Sequence, residues 1–271
     1  MNSIFELENR LDINKEFEKL VYVFHVDPNA AIFAEDSYHQ RDYNTVMEAI
    51  DKRVFLKWKY RDTFLGVGEY LEHIGIDYEE TCTYGGQYID EKSFLYYLEF
   101  LSNMFLLVKE DKSIELLGNT LAAIENIPRI LEKMNYKLKQ IDDKIIITKR
   151  DSDVDSILKI VNKEIADILL EYNDFRIEND IEAKKSILKE LDLYIEKNIN
   201  IKSFDKELDN AIGVIVNKMG INHPIKEEPY KSFTDKELIK WYDNCFVMMI
   251  HAIRTVQVNK IKNERKQLLN N

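Results

Sequence analysis

The sequence predicts a mainly α protein: a C-terminal four-helix bundle behind an N-terminal, mostly helical region that contains a small β-hairpin. Three observations predict it. The 271 residues include only eight Gly and four Pro, too few for the many turns of a sandwich or barrel. From residue 151 onward, apolar residues recur at intervals of three and four, the period of an amphipathic helix. Only one stretch, Tyr136–Thr148, reads as a pair of short strands. A hydrophobic share of 45% is enough to form a core.

In chain order, the first expected helix covers 42–58, with Val46, Ala49, Ile50, Phe55 and Trp58 as its core face. A second covers 63–74 and ends at Gly75. The stretch 81–90, TCTYGGQYID, reads as a loop because of its Gly-Gly pair. Residues 92–108 form a strongly apolar helix, and 119–134 form another that Pro128 is expected to kink. The hairpin YKLKQIDDKIIIT turns at Asp142-Asp143. A boundary near Arg150 divides the chain into regions 1–150 and 151–271.

The bundle follows. Val154, Ile157, Leu158, Val161, Ile165, Ile168, Leu169 and Tyr172 share one face of a single expected helix, with Ser152 and Asp155 at its start. Ile181, Lys184, Ile187, Leu188, Leu191 and Ile195 mark the second helix, which starts near Asp180. Phe204, Leu208, Ile212, Ile215 and Met219 mark the third, and Gly220 is placed to stop it. The fourth has the strongest start signal. Thr234 and Glu237 form a capping box, and Phe233 and Leu238 form a hydrophobic staple. Its stripe runs through Trp241, Tyr242, Cys245, Phe246, Met249, Ile253 and Val256. Trp241, Tyr242, Phe246, Met248 and Met249 read as core or as a dimer face. The basic residues from Arg254 to Lys266 read as a solvated helix end.

Charge and composition exclude several functions. A net charge of −11 provides no overall attraction to nucleic acid, so binding it requires a local basic patch. Cys82 and Cys245 lack CxxC spacing, which predicts a reducing compartment with neither disulfide framework nor zinc cluster. The first residues carry no secretory signature. The apolar run 94–108 is short and broken by Glu99, Ser102 and Asn103, so no membrane partner is expected and the chain reads as cytoplasmic. Gly66 and Gly68 would need a third glycine at position 71, which is Leu, to complete a nucleotide-binding loop, so they read as close-packing residues. His25, His39, His73, His223 and His251 are scattered without a ligand pair, so no metal or other cofactor is expected. No GxSxG elbow is present, and neither cysteine has an adjacent activating base.

One stretch remains, NKMGINHPIKEEPY from Asn217 to Tyr230, between the third and fourth bundle helices. With its Lys218-Met-Gly-Ile-Asn-His223 spacing, the region 151–271 resembles the HEPN (higher eukaryotes and prokaryotes nucleotide-binding) superfamily. Members of that family carry an Arg and, four to six residues later, a His near the start of the last long helix. The segment KWKYRDTFLGVGEYLEHIGID, 57–77, resembles the N-terminal regions of abortive-infection proteins of phage defence. The resemblance implies metal-free cleavage of RNA, with His223 as general acid or base and Lys218 at the phosphate, flanked by Asn217, Asn222 and Tyr230 as RNA contacts. It also implies a homodimer through the C-terminal bundle.

This chain has Lys where the family has Arg. An ammonium neutralises phosphate without the bidentate fork of a guanidinium, so the site is expected either to be a weakened ribonuclease or only to bind RNA. Two other function classes are open on sequence. One is a non-enzymatic helical interaction or sensor module, with a protein partner on the N-terminal region. The other is a DNA-binding regulator, which the net charge and the lack of a basic recognition helix disfavour.

Overall fold

Asp12, Thr45 and Asp90 each stand in extended backbone, and each side chain accepts a hydrogen bond from the backbone N–H three residues on. These caps satisfy first-turn donors and start three helices. The computed structural model describes residues 11–28, 31–33, 43–80, 88–111, 114–221 and 233–270. Two compact units divide the chain, Met1–Arg150 and Asp151–Asn271. The architecture is mainly α, as the sequence predicts.

The first unit contains α1 (Ile13–Val21), which continues into a π-helical turn over Tyr22–Val26, then β1 (Ala31–Phe33) and α2 (Val46–Arg53). Next come α3 (Val67–His73), α4 (Glu91–Glu110), β2 (Ile114–Leu116), α5 (Gly118–Lys133), β3 (Tyr136–Ile141) and β4 (Lys144–Lys149). β1 pairs antiparallel with β2, Ala31 opposite Leu116. β3 and β4 form the expected hairpin, in register from Tyr136↔Lys149 to Ile141↔Lys144. Asp142 takes a positive φ of 52° at the turn, a conformation that aspartate tolerates because its short side chain bonds locally.

α4 is the axis of this unit. Phe94, Leu95, Tyr97, Leu98, Phe100, Leu101, Met104 and Phe105 are all buried and cover well over half of its circumference, and the buried Glu99 and Asn103 occupy the remaining side. Its three polar interruptions have a structural use. Asn103 donates through Nδ2 to the Ile145 carbonyl at 2.7 Å, and its Oδ1 accepts from the Ile145 N–H at 2.9 Å. Glu99 accepts from the Ile147 N–H at 2.9 Å. Ser102 donates to the Leu98 carbonyl. The helix thus satisfies one edge of β4 with side chains, as a further strand would satisfy it with backbone.

Several expected boundaries are corrected. The helix expected over 42–58 ends at Arg53, and a 3-10 turn over Phe55–Lys57 follows, yet all five expected core residues are buried. The helix expected from Thr63 begins at Val67 behind Gly66, while Gly75 stops it with φ 86°. A side chain at Gly68 would meet the Tyr78 ring at 3.3 Å, so this glycine does permit close packing. Pro128 lies inside α5. The loop expected over 81–90 falls mostly outside the described residues. α1 and the β1–β2 pair were not anticipated.

The second unit contains α6 (Ser152–Leu158), α7 (Lys163–Tyr172), α8 (Ile181–Asn198), α9 (Lys206–Lys218) and α10 (Asp235–Asn270). The first expected bundle helix is two helices. Asn162 stands extended, and its side chain accepts from the Ile165 N–H, which ends the run from α6 and starts α7. Asp151, not Ser152, caps α6 by accepting from the Asp153 and Val154 N–H groups. The predicted stripes converge in one core with Leu169, Leu188, Leu191, Cys245, Met249 and Ile253 at its centre, except that Trp241, expected in the stripe of the fourth helix, is exposed. The capping box of α10 forms as expected. The Thr234 N–H donates to Glu237 Oε2 at 2.8 Å and Thr234 Oγ1 accepts from the Glu237 N–H at 3.4 Å.

Candidate functional site

Lys218 and Asn217 end α9, and both are exposed. Asn217 Nδ2 donates to the Gly213 carbonyl one turn back, at 2.8 Å. The chain then leaves the helix through Gly220, whose φ of 71° is the left-handed conformation of a helix stop. The Ile221 N–H reaches back to the Val216 carbonyl at 3.1 Å, which closes that stop. The buried Tyr242 of α10 donates its hydroxyl to the Met219 carbonyl at 3.0 Å. Lys218 therefore projects from a corner that is fixed on both sides, by its own helix and by α10. His223, Asn222 and Tyr230 lie outside the described residues.

A second polar group lies in the same unit. Lys184 is buried, and its Nζ donates to Asp243 Oδ1 at 2.7 Å. The Tyr172 hydroxyl donates to the same oxygen at 2.9 Å. The Lys184 ammonium also sits 4.3 Å from the centroid of the Tyr172 ring, which stacks on Phe246 at 3.8 Å. Burial, then the nearby Asp243 charge, raises the Tyr172 hydroxyl far above its ordinary range. Burial likewise pushes the Cys245 thiol up to about 12, so no thiolate is available there near neutrality. These groups fix how α8 and α10 meet and offer no nucleophile.

In the first unit, His25 is hydrogen-bonded to the Tyr97 hydroxyl at 3.0 Å inside the core. Burial lowers it to about 3, so it is neutral near pH 7 and held away from solvent. Elsewhere in that unit Trp58, Leu106 and Leu107 are among the residues lining a cavity of about 610 Å³. Lys57, bonded to Asp111 at 2.6 Å, and Lys59, bonded to Asp143, stand at its rim. The Tyr60 hydroxyl also donates to Asp143, at 2.6 Å. Lys59 and Tyr60 together hold the Asp143 carboxyl down at about 2. The sequence did not reveal this cavity, because the carboxylate partners of Lys57 and Lys59, Asp111 and Asp143, lie far along the chain.

Among the described residues, no group of three or more His, Cys, Asp or Glu side chains is placed to hold a metal ion. No helix among them is long and apolar enough to cross a membrane. Of the expected site residues, the structure brings Lys218 and Asn217 together at the end of α9. No protein-family model matches the chain, and no curated protein or solved structure matches it.

Proposed function

We propose that this chain is an abortive-infection-type phage-defence protein whose C-terminal bundle, of HEPN type, acts on or binds RNA. The observation that carries the reading is the corner after α9. An exposed ammonium at Lys218 stands on a rigid helix end, and the chain runs from there through His223 to the capping box of the longest helix. His223 is the general acid or base, since an imidazole ordinarily titrates near neutrality. Lys218 is a point charge for phosphate, with Asn217, Asn222 and Tyr230 as flanking contacts. The reading carries a homodimer through the bundle, which light scattering would measure. Because lysine lacks the bidentate fork, any cleavage is weak, and binding without cleavage belongs to the same reading.

The test is expression in a bacterial host, with growth and the integrity of total RNA as readouts. Removing a general acid or base costs about 10²- to 10⁴-fold, so His223→Ala should abolish cleavage. Lys218→Arg should raise it by restoring the fork. Full activity in the His223→Ala variant removes the catalytic role of this residue.

A second reading has its own observation in the first unit. The 610 Å³ cavity, with Leu56 and Leu65 exposed nearby in sequence, is the kind of feature expected of a module that holds a partner protein. Toxicity that survives both site variants and is lost on Leu56→Asp would favour it.

A further inference from the structure

α10 is much longer than the bundle needs. Its last fully buried residues are Ala252 and Ile253, and from Val258 to Gln267 every residue is exposed. At 1.5 Å per residue, the helix from Gln257 to Asn270 extends about 20 Å beyond the packed core. That end carries Lys260, Lys262, Arg265 and Lys266 against the single acidic residue Glu264, in a chain whose net charge is −11. A helical extension of this length that is exposed all round gains no stability from packing on the bundle.

The direction of the charges tells more than their number. At 100° per residue, Val247, His251, Arg254, Val258, Lys262 and Arg265 fall within an arc of about 80° on one side of α10. The bundle end of this face opens into a cavity of about 260 Å³ lined by Leu208, Val247, Met248, His251 and Arg254. Drug-sized ligands use cavities of about 300–1,000 Å³, so this one matches a single planar ring system. It is lined by apolar side chains, by the exposed imidazole of His251 and by the charged pair of Arg254 and Asp153. Arg254 is held there by Asp153 at 3.1 Å. This ion pair is exposed on both sides and is weak enough for a phosphate to replace it.

We infer that this face of α10 binds a single-stranded stretch of RNA, with one base in the cavity against His251 and the following phosphates along Arg254, Lys262 and Arg265. A groove for one stacked base joined to a basic track is the usual construction of single-strand binding surfaces. The spacing 247, 251, 254, 258, 261 also suits a coiled-coil seam with a second copy. That seam would place His251, Arg254 and Arg265 at core positions, where like charges oppose one another, so the polyanion is the better occupant. The choice of RNA rests on the function proposed above. The surface itself lies on α10 and uses neither Lys218 nor His223.

The test is fluorescence anisotropy of a labelled oligouridylate with the full chain at 50 and 200 mM salt. The triple variant Arg254→Glu, Lys262→Glu, Arg265→Glu should bind at least tenfold more weakly at low salt. Its slope of log affinity against log salt should be shallower by about 2, at about 0.7 per lost contact on a single strand. His251→Ala should weaken binding about tenfold with the salt slope unchanged, because a stacked base is lost and no phosphate contact is. A triple Gln variant, checked by circular dichroism, guards against an effect of charge reversal on folding. Wild-type affinity in both triple variants, or no binding by the wild type at 50 mM salt, overturns the inference. So does a change of oligomeric state in the triple variants by light scattering, which would make this face a contact between copies. Arm-dependent binding in a protein whose His223→Ala variant keeps full activity would leave this inference standing while the ribonuclease reading fails.

Discussion

The two units bury polar groups in opposite ways. In the first, one helix is the axis of everything around it. α4 buries aromatic and aliphatic side chains over well over half of its circumference, and Glu99 and Asn103, buried on the remaining side, are satisfied by the backbone of β4. His25 is enclosed in the same core, neutral, against Tyr97. In the second unit each helix buries one stripe and leaves its other face in water. One of its buried charges, Lys184, reaches the boundary, where Asp243 is half exposed. A helix packed on one face can shift when a side chain is removed. A helix packed on every face cannot.

The strongest way to break this comparison is to truncate one core residue in each unit. Phe100 is fully buried, with the rings of Trp58 at 6.0 Å and Tyr70 at 5.1 Å beside it. Phe100→Ala should cost about 3–5 kcal/mol, because the surrounding rings cannot collapse into the space. Leu191→Ala, in the stripe of α8, should fall near the lower end of the Leu→Ala range, at about 2–3 kcal/mol. Urea denaturation at 25 °C measures both. An equal or larger cost for Leu191→Ala would show that packing on all sides confers no extra rigidity on α4.

The same contrast explains what the sequence revealed. In the second unit every helix other than the first was legible, because one buried stripe leaves a period of three to four that survives in the sequence. Caps at Asp180, Asp205 and Thr234 mark the starts. The break at Lys159–Asn162 was missed because Ile157, Leu158, Val161 and Ile165 keep the period across it, and only the Asn162 side chain reveals the interruption. In the first unit the existence of α4 was legible but which elements pack on it was not, since a helix that is buried all round has no face to read. The β1–β2 pair joins residues more than eighty positions apart, a pairing no local pattern encodes. At the candidate site, the exposed end of α9 and its glycine stop were legible. The clamp from Tyr242 to Met219 was not, because in sequence that tyrosine is one more member of a core stripe.

A finer test of the comparison uses pH. Burial lowers His25 from its ordinary value of 6.5 to about 3 in the folded protein. Between those values the unfolded chain binds a proton that the folded chain does not. Stability therefore falls as pH is lowered through this window, by about 1.4 kcal/mol per unit for one such group. Above pH 6.5 the group has no effect. His25→Asn removes the titration and keeps a polar group near Tyr97. The difference in unfolding free energy between wild type and variant should be constant from pH 7 to 8 and should move in favour of the variant below pH 6.5. A pH-independent difference down to pH 5 would mean that His25 takes up its proton in the fold, and that the first unit is less closed than the second.

The smallest effect belongs to the most legible feature. Thr234 caps α10 on the exposed side of the bundle, so a change there touches no core contact. Thr234→Ala removes the acceptor for the Glu237 N–H and the hydroxyl that donates to Glu237 Oε2 at 2.9 Å. The expected loss is about 1 kcal/mol, and Thr234→Ser should recover most of it. The Thr234 backbone N–H, followed by its hydroxyl, holds the Glu237 carboxyl below its ordinary value. A depressed carboxylate contributes above its unfolded pKa and loses that contribution as pH falls. The gap between wild type and Thr234→Ala should therefore narrow on acidification through the carboxylate range, the same direction as the His25 difference, which begins to move already at the higher pH of 6.5. A loss as large as that from Leu191→Ala would mean that the cap of α10 also fixes its packing, and that the second unit is held at its helix ends as firmly as the first is held at α4.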